Sequence, residues 1–129
     1  MPVIGFDHYN LRAEHALLDR LRDFYVDVVG LARGARPPFR SFGYWLYVGE
    51  QAVLHLSEAS PLEGRAADVV GTFSHVAFAC TGLGEIEARL QRNRIDYTID
   101  RVPLRDQIQL FFSDPAGNGV ELSFAAGAV

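Results

Sequence analysis

Two histidines in the first half of the chain are matched by a histidine and a glutamate in the second half, and this pairing constrains the fold more than any other feature. His8 and His75 lie 67 residues apart, and His55 and Glu121 lie 66 apart. Each sits in a short strand-like run: GFDHYNL, AVLHLSE, FSHVAFA and GVELSF. A chain that repeats one supersecondary unit, and sets a metal-type side chain at equivalent places in both copies, is expected to build both around one centre.

The pattern of the remaining residues supports a repeat. In the first copy, residues 4–11 predict a strand. Leu17, Leu18, Leu21, Phe24, Tyr25 and Val28 then recur at three- and four-residue spacing, which predicts an amphipathic helix closed by Gly30. Residues 33–38, rich in Gly, Pro and Arg, predict a loop or broken edge strand. Residues 42–48 and 52–58 predict two strands joined at Gly49-Glu50. A polar link over 59–72 precedes the second copy. There the predicted strands are 73–80, 97–102, 108–113 and 120–124, with a helix marked by Leu83, Ile86 and Leu90. The run Asp114-Pro115-Ala116-Gly117-Asn118-Gly119 is turn chemistry. Both halves read βαβββ, with module one at about 4–58 and module two at about 73–125 of a single 1–129 domain.

Side chains alternate across a strand. His75, Ala77 and Ala79 therefore share one face, opposite Val76 and Phe78. Glu121 and Ser123 oppose Val120, Leu122 and Phe124, and Val53, His55 and Ser57 oppose Leu54 and Leu56. The bulky faces suit packing on the helices. The small or polar faces carry His8, His55, His75 and Glu121 and leave space beside them, as a metal pocket on one side of a sheet requires. His15, outside the repeat, reads as a solvated helix residue.

Composition narrows the partners. A net charge of −4 argues against a nucleic-acid binder, which normally presents a basic surface. No polybasic stretch and no apolar run near the length of a bilayer span points to a membrane. The N-terminal stretch carries Asp7 and Glu14 and has no signal-peptide pattern, so the expected location is cytoplasmic. The single cysteine, Cys80, excludes an intramolecular disulfide and a cysteine zinc knuckle, and at the end of an apolar strand it reads as a small buried hydrophobe.

The pieces DHYNLRA, FYVDVVGL, AVLHLSE, SHVAFAC and DPAGNGVELSF, spread over nearly the whole chain, resemble the vicinal oxygen chelate superfamily. That superfamily includes glyoxalase I, fosfomycin-resistance enzymes, bleomycin-resistance proteins and extradiol dioxygenases. The resemblance implies an α+β fold in which two βαβββ modules form a half-open, cup-shaped barrel around one divalent ion (Zn, Ni, Mn or Fe(II)). It implies a homodimer whose sites are often built by modules of different subunits. Carried over by motif, the ligands are His8, His75 and Glu121, with His55 in the fourth position and Glu121 and His55 as the catalytic groups.

Glyoxalase I normally has a carboxylate where this chain has His55. Three neutral histidines and one carboxylate leave a divalent site formally positive. Such a site is expected to hold an anionic chelate more firmly, and it lacks one carboxylate able to take a proton. His55 is then either a ligand or a near-metal acid/base. The expected function is metal-dependent lyase, isomerase or transferase chemistry on a small oxygenated substrate. An iron-dependent ring-cleaving dioxygenase and a non-catalytic antibiotic-binding protein are the alternatives. Arg40 and Trp45, from the Arg- and aromatic-rich segment 36–47, together with Asn10 and Gln109, are the candidate substrate-binding residues.

Overall fold

The computed structural model describes residues 2–129. It divides the chain into two units, Met1–Ala67 and Asp68–Val129, each with one four-stranded sheet and one α-helix longer than a turn. The fold is α+β, and the two units share one topology.

In the first unit the elements are β1 (Tyr9–Ala13), α1 (His15–Phe24), β2 (Ala32–Gly34), β3 (Gly43–Val48) and β4 (Gln51–Glu58). The sheet order is β1-β4-β3-β2, with β1 parallel to β4 and the other pairs antiparallel. Glu14 caps α1, its carboxylate accepting from the backbone N–H groups of Ala16 and Leu17. Leu18, Leu21 and Phe24 form the buried stripe of α1, and Leu46, Leu54 and Leu56 are the fully buried sheet residues. Burying each such side chain stabilises by about 1.5–3 kcal/mol. The helical pattern continues past Phe24 as a π-helical turn over Tyr25–Val29. Gly30, at φ 99°, closes it, and its N–H and that of Leu31 both bond the Tyr25 carbonyl.

The predicted strand over 4–11 is displaced to Tyr9–Ala13, so His8 falls one residue before it. The amide of Gln51 accounts for the difference. It donates to the carbonyls of Phe6 and Asp7, at 3.2 and 2.6 Å, where a strand would need a ladder partner. His15 opens α1 as an exposed residue, as expected, and it also makes surface contacts: its ring stacks on Phe42 at 3.8 Å, and its nitrogens lie 3.6 Å from Asp19 and 3.2 Å from Glu58.

In the second unit the elements are β5 (His75–Ala79), α2 (Leu83–Arg92), β6 (Thr98–Arg101), β7 (Ile108–Ser113) and β8 (Gly119–Phe124). The order is β5-β8-β7-β6, again with one parallel pair, β5 and β8. Leu83, Ile86 and Leu90 are buried on α2, and Ile108, Leu110, Phe112, Val120, Leu122 and Phe124 are buried on the sheet. Asp114 organises the turn between β7 and β8. Its Oδ1 accepts from the N–H groups of Ala116 and Asn118, each at 2.9 Å, and its Oδ2 from the Asn118 amide. This sets the register that places Glu121 opposite Ala77 and Phe111.

The link holds a 3₁₀ turn, Pro61–Glu63, whose Ser60 and Glu63 form a capping box. Glu63 also receives the guanidinium of Arg12 on β1 through two N–H groups. That contact holds the carboxyl of Glu63 down at about 2. Among the described residues, no helix is long and apolar enough to cross a membrane.

Candidate metal centre

His75 opens β5 directly opposite Gly119, and Glu121 is two residues further along β8. The absence of a side chain at Gly119 is a steric requirement: a Cβ there would lie 2.3 Å from the Ser74 carbonyl oxygen and 2.9 Å from His75 Cβ. The imidazole leans along the ladder, and its Nε2 lies 3.1 Å from Glu121 Oε1. Glu121 is only 6% exposed. Its Oε2 accepts from Gln109 Nε2 at 3.2 Å. His75 Nδ1 lies 3.0 Å from Ser74 Oγ, and Phe111 meets the ring edge-on.

A buried carboxylate demands compensation. With Nε2 protonated, His75 supplies it as a hydrogen bond. With Nδ1 protonated toward Ser74, the Nε2 lone pair and the carboxylate become two donors able to share one cation. Imidazole and carboxylate suit several first-row divalent ions, and a histidine whose other nitrogen is hydrogen-bonded is the usual orientation for a ligand. The chemistry of this pair fits a divalent metal.

The first unit carries the equivalent diagonal with different content. His8 Nδ1 lies 2.6 Å from Asp7 Oδ2, which leaves Nε2 as its free nitrogen. Its ring stacks on His55, with centroids 3.7 Å apart and planes 14° from parallel. The opposite face of His55 stacks on Trp45 at 4.0 Å and 9°. Burial, then the neighbouring His8, lower the pKa of His55, so its neutral form is favoured. Ring-nitrogen lone pairs lie in the ring plane, so those of stacked rings run alongside each other instead of converging. His8 and His55 cannot share one ion until one ring leaves the stack. Taken one unit at a time, and among the described residues, no group of three or more His, Cys, Asp or Glu side chains is gathered as a metal cage.

The remaining candidates fall in two groups. Gln109 bonds Glu121, and Trp45 packs on His55. Asn10, the register partner of His55, accepts from Ser57 Oγ at 2.8 Å, and Ser57 in turn accepts from Arg12 at 3.2 Å. Arg40 is exposed, whereas Arg36 lines the hollow beside Trp45 and His55. Asp7 and Ser74 were not singled out by sequence reasoning. Each immediately precedes its histidine, 67 residues apart, and that repeated adjacency is the signal that could have found them. Cys80 is half-buried, and burial raises its thiol pKa away from the reactive thiolate.

Two βαβββ units of identical strand order, with histidine and carboxylate residues on the faces away from the buried core, define a glyoxalase-type protein. Residues 5–122 match the family model described as the Glyoxalase/Bleomycin resistance protein/Dioxygenase superfamily, and the chain belongs to that superfamily. It is 30% identical over 112 residues to Glyoxylase I 4 of Arabidopsis thaliana, a stretch covering 81% of this chain but 63% of that protein. Similar folds occur in a glyoxalase family protein of Bacillus anthracis (24% identity, TM-score 0.74, 95% of this chain and 96% of that one). They occur too in lactoylglutathione lyase of Agrobacterium tumefaciens (24%, 0.65, 96% of both chains). The fosfomycin resistance protein FosX of Mesorhizobium loti is similar as well (12%, 0.66, 97% and 95%).

Proposed function

We propose that this chain is a divalent-metal-dependent, glyoxalase-like enzyme acting on a small oxygenated substrate by lyase, isomerase or transferase chemistry. The contact between His75 and the buried Glu121 carries this conclusion: a carboxylate 6% exposed, with an imidazole nitrogen 3.1 Å away, is half of a ligand set. His8, steadied by Asp7, supplies the counterpart from module one, either of the same chain or of a second copy in a homodimer. A bound divalent ion would supply Lewis-acid stabilisation of negative charge developing on a substrate oxygen.

The protein's own groups do the rest. Gln109 holds Glu121 Oε2, so Oε1 keeps its aim toward His75 Nε2. Ser74, 3.0 Å from His75 Nδ1, holds the orientation of the His75 ring. His55, held neutral, is the group able to accept a proton from substrate. A carboxylate at that place would be the stronger anchor for a metal, and its replacement by His55 sets this chain apart from the glyoxalase I pattern.

The stacking of His55 favours a second reading. With His55 packed between His8 and Trp45, the remaining set of His8, His75 and Glu121 has the two-histidine, one-carboxylate composition of iron oxygenases. Metal analysis of protein purified without chelator tests both readings. Stoichiometric Zn, Ni, Mn or Fe(II), lost in the His75→Ala variant, is expected. No bound metal and no uptake of any of the four would refute both. Oxygen consumption with catechols would select the second.

A further inference from the structure

The first unit contains a hollow of about 250 Å³ walled by Asn10, Arg12, Arg36, Phe39, Trp45 and Ser57. Its two cations differ in what they already hold. Arg12 gives two N–H groups to Glu63 and one to Ser57. Arg36 donates only to Ser41, to the carbonyl at 2.8 Å and to Oγ at 3.3 Å, and its guanidinium carbon lies 4.8 Å over the Phe39 ring. No carboxylate among the described residues pairs with Arg36, and its Nε is buried without an acceptor. A guanidinium has five N–H donors. Ser41 takes two and the one on Nε is buried, so the charge of Arg36 and two Nη donors are uncommitted, in a chain whose net charge is −4.

The guanidinium lies beside Gly43, a glycine that the Leu56 carbonyl oxygen already requires: a Cβ there would meet that oxygen first and would lie 3.0 Å from Arg36 Nη2 and 3.1 Å from its guanidinium carbon. At the equivalent register position, opposite Ser123 where Gly43 is opposite Ser57, the second unit has Gln109. The Tyr47 hydroxyl donates to the Ala35 carbonyl, which ties down the backbone just before Arg36.

We propose that this hollow seats the carboxylate of a small ligand with a flat apolar body, the carboxylate bound by Arg36 and the body set against Trp45 and Phe39. The two rings lie 6.1 Å apart and tilted by 48°. A carboxylate offers two acceptor oxygens that match a guanidinium fork. The single uncommitted cation answers a monoanion, whereas a phosphate dianion would bring more charge than Arg36 neutralises, with Arg12 already held by Glu63. Because His55 also borders the hollow, the inference deepens the function proposed above by naming a carboxylate-bearing substrate class.

Trp45 is the only tryptophan in the chain, so its emission reports on the hollow. Metal-free protein is titrated with benzoate, benzamide and acetate in the presence of chelator. Benzoate is expected to change the emission saturably and to bind at least about tenfold tighter than either comparator. Arg36→Gln is expected to bring benzoate down to the level of benzamide, and Arg20→Gln, at an exposed position of α1, to leave it unchanged. Failure of benzoate to bind, equal binding of benzamide, or a benzoate affinity unaltered by Arg36→Gln overturns the inference. The charged and neutral probes decide the matter on the parent protein even if a variant fails to fold. With chelator present, the outcome is independent of metal binding, so failure here is distinguishable from failure of the metal-dependent function.

Discussion

His75 Nε2 stands 3.1 Å from Glu121 Oε1, diagonally across the parallel β5–β8 ladder. In the first unit His8, the residue just before β1, and His55 on β4 stand in the corresponding relationship, and there the contact is a ring stack at 3.7 Å. One geometric relationship thus joins two donors in one module and two flat rings in the other. His75→Ala removes one donor and leaves Glu121 buried. Divalent metal affinity is expected to fall by more than the 10–100-fold (about 1.4–2.8 kcal/mol) typical of losing a ligand's hydrogen-bonding partner. Competition with a chromophoric chelator measures it, and an unchanged affinity would remove His75 from the ligand set.

Gln109 is that kind of partner for Glu121, through a 3.2 Å bond to Oε2. Gln109→Leu keeps the approximate volume and removes the N–H. It is expected to weaken metal binding about 10–100-fold while secondary structure is retained. Isothermal titration beside circular dichroism separates the two effects. Parent-like affinity would show that the bond does not orient the carboxylate.

Gly119 lies against Ser74 and His75 so closely that any side chain forces backbone to move. Gly119→Ala is expected to destabilise the fold by about 1–3 kcal/mol, the range for overpacking. Urea unfolding gives the value. A midpoint equal to that of the parent would mean that the β5–β8 ladder yields without strain.

The Arg12–Glu63 contact sets a pH dependence. Hydrogen bonds from Arg12 first, then from Ser60 and Arg65, hold the Glu63 carboxyl at about 2. In an unfolded chain the value is about 4.3. The depressed carboxyl therefore contributes stability that is complete above the unfolded value and is lost as pH falls through the window toward 2. Glu63→Gln is expected to lower Tm at pH 7, and the difference from the parent should shrink between about pH 4.3 and pH 2. A difference that stays constant across that window would locate the effect in something other than ionisation.

The repeat, the βαβββ order of elements along it and the division of each strand into a core face and an open face were determined by the sequence alone. Period-two and period-3.6 patterns are local, and turn residues such as Asp114 and Gly117 mark their ends. The positions of His55, His75 and Glu121 on open faces follow directly from that alternation. What those residues touch was decided by tertiary structure. The strand register set His75 diagonally against Glu121, and the Gln51 amide moved the start of β1 past His8. The register partners Trp45 and His55, together with His8 just before β1, became one stack of three rings. Arg40 and Arg36 are equal candidates by composition, yet in the folded chain Arg36 lines the hollow beside His55 while Arg40 is exposed. Alternation says which face a side chain leaves from. Only the packing of other strands says what it meets there, because those partners lie tens of residues away in the chain.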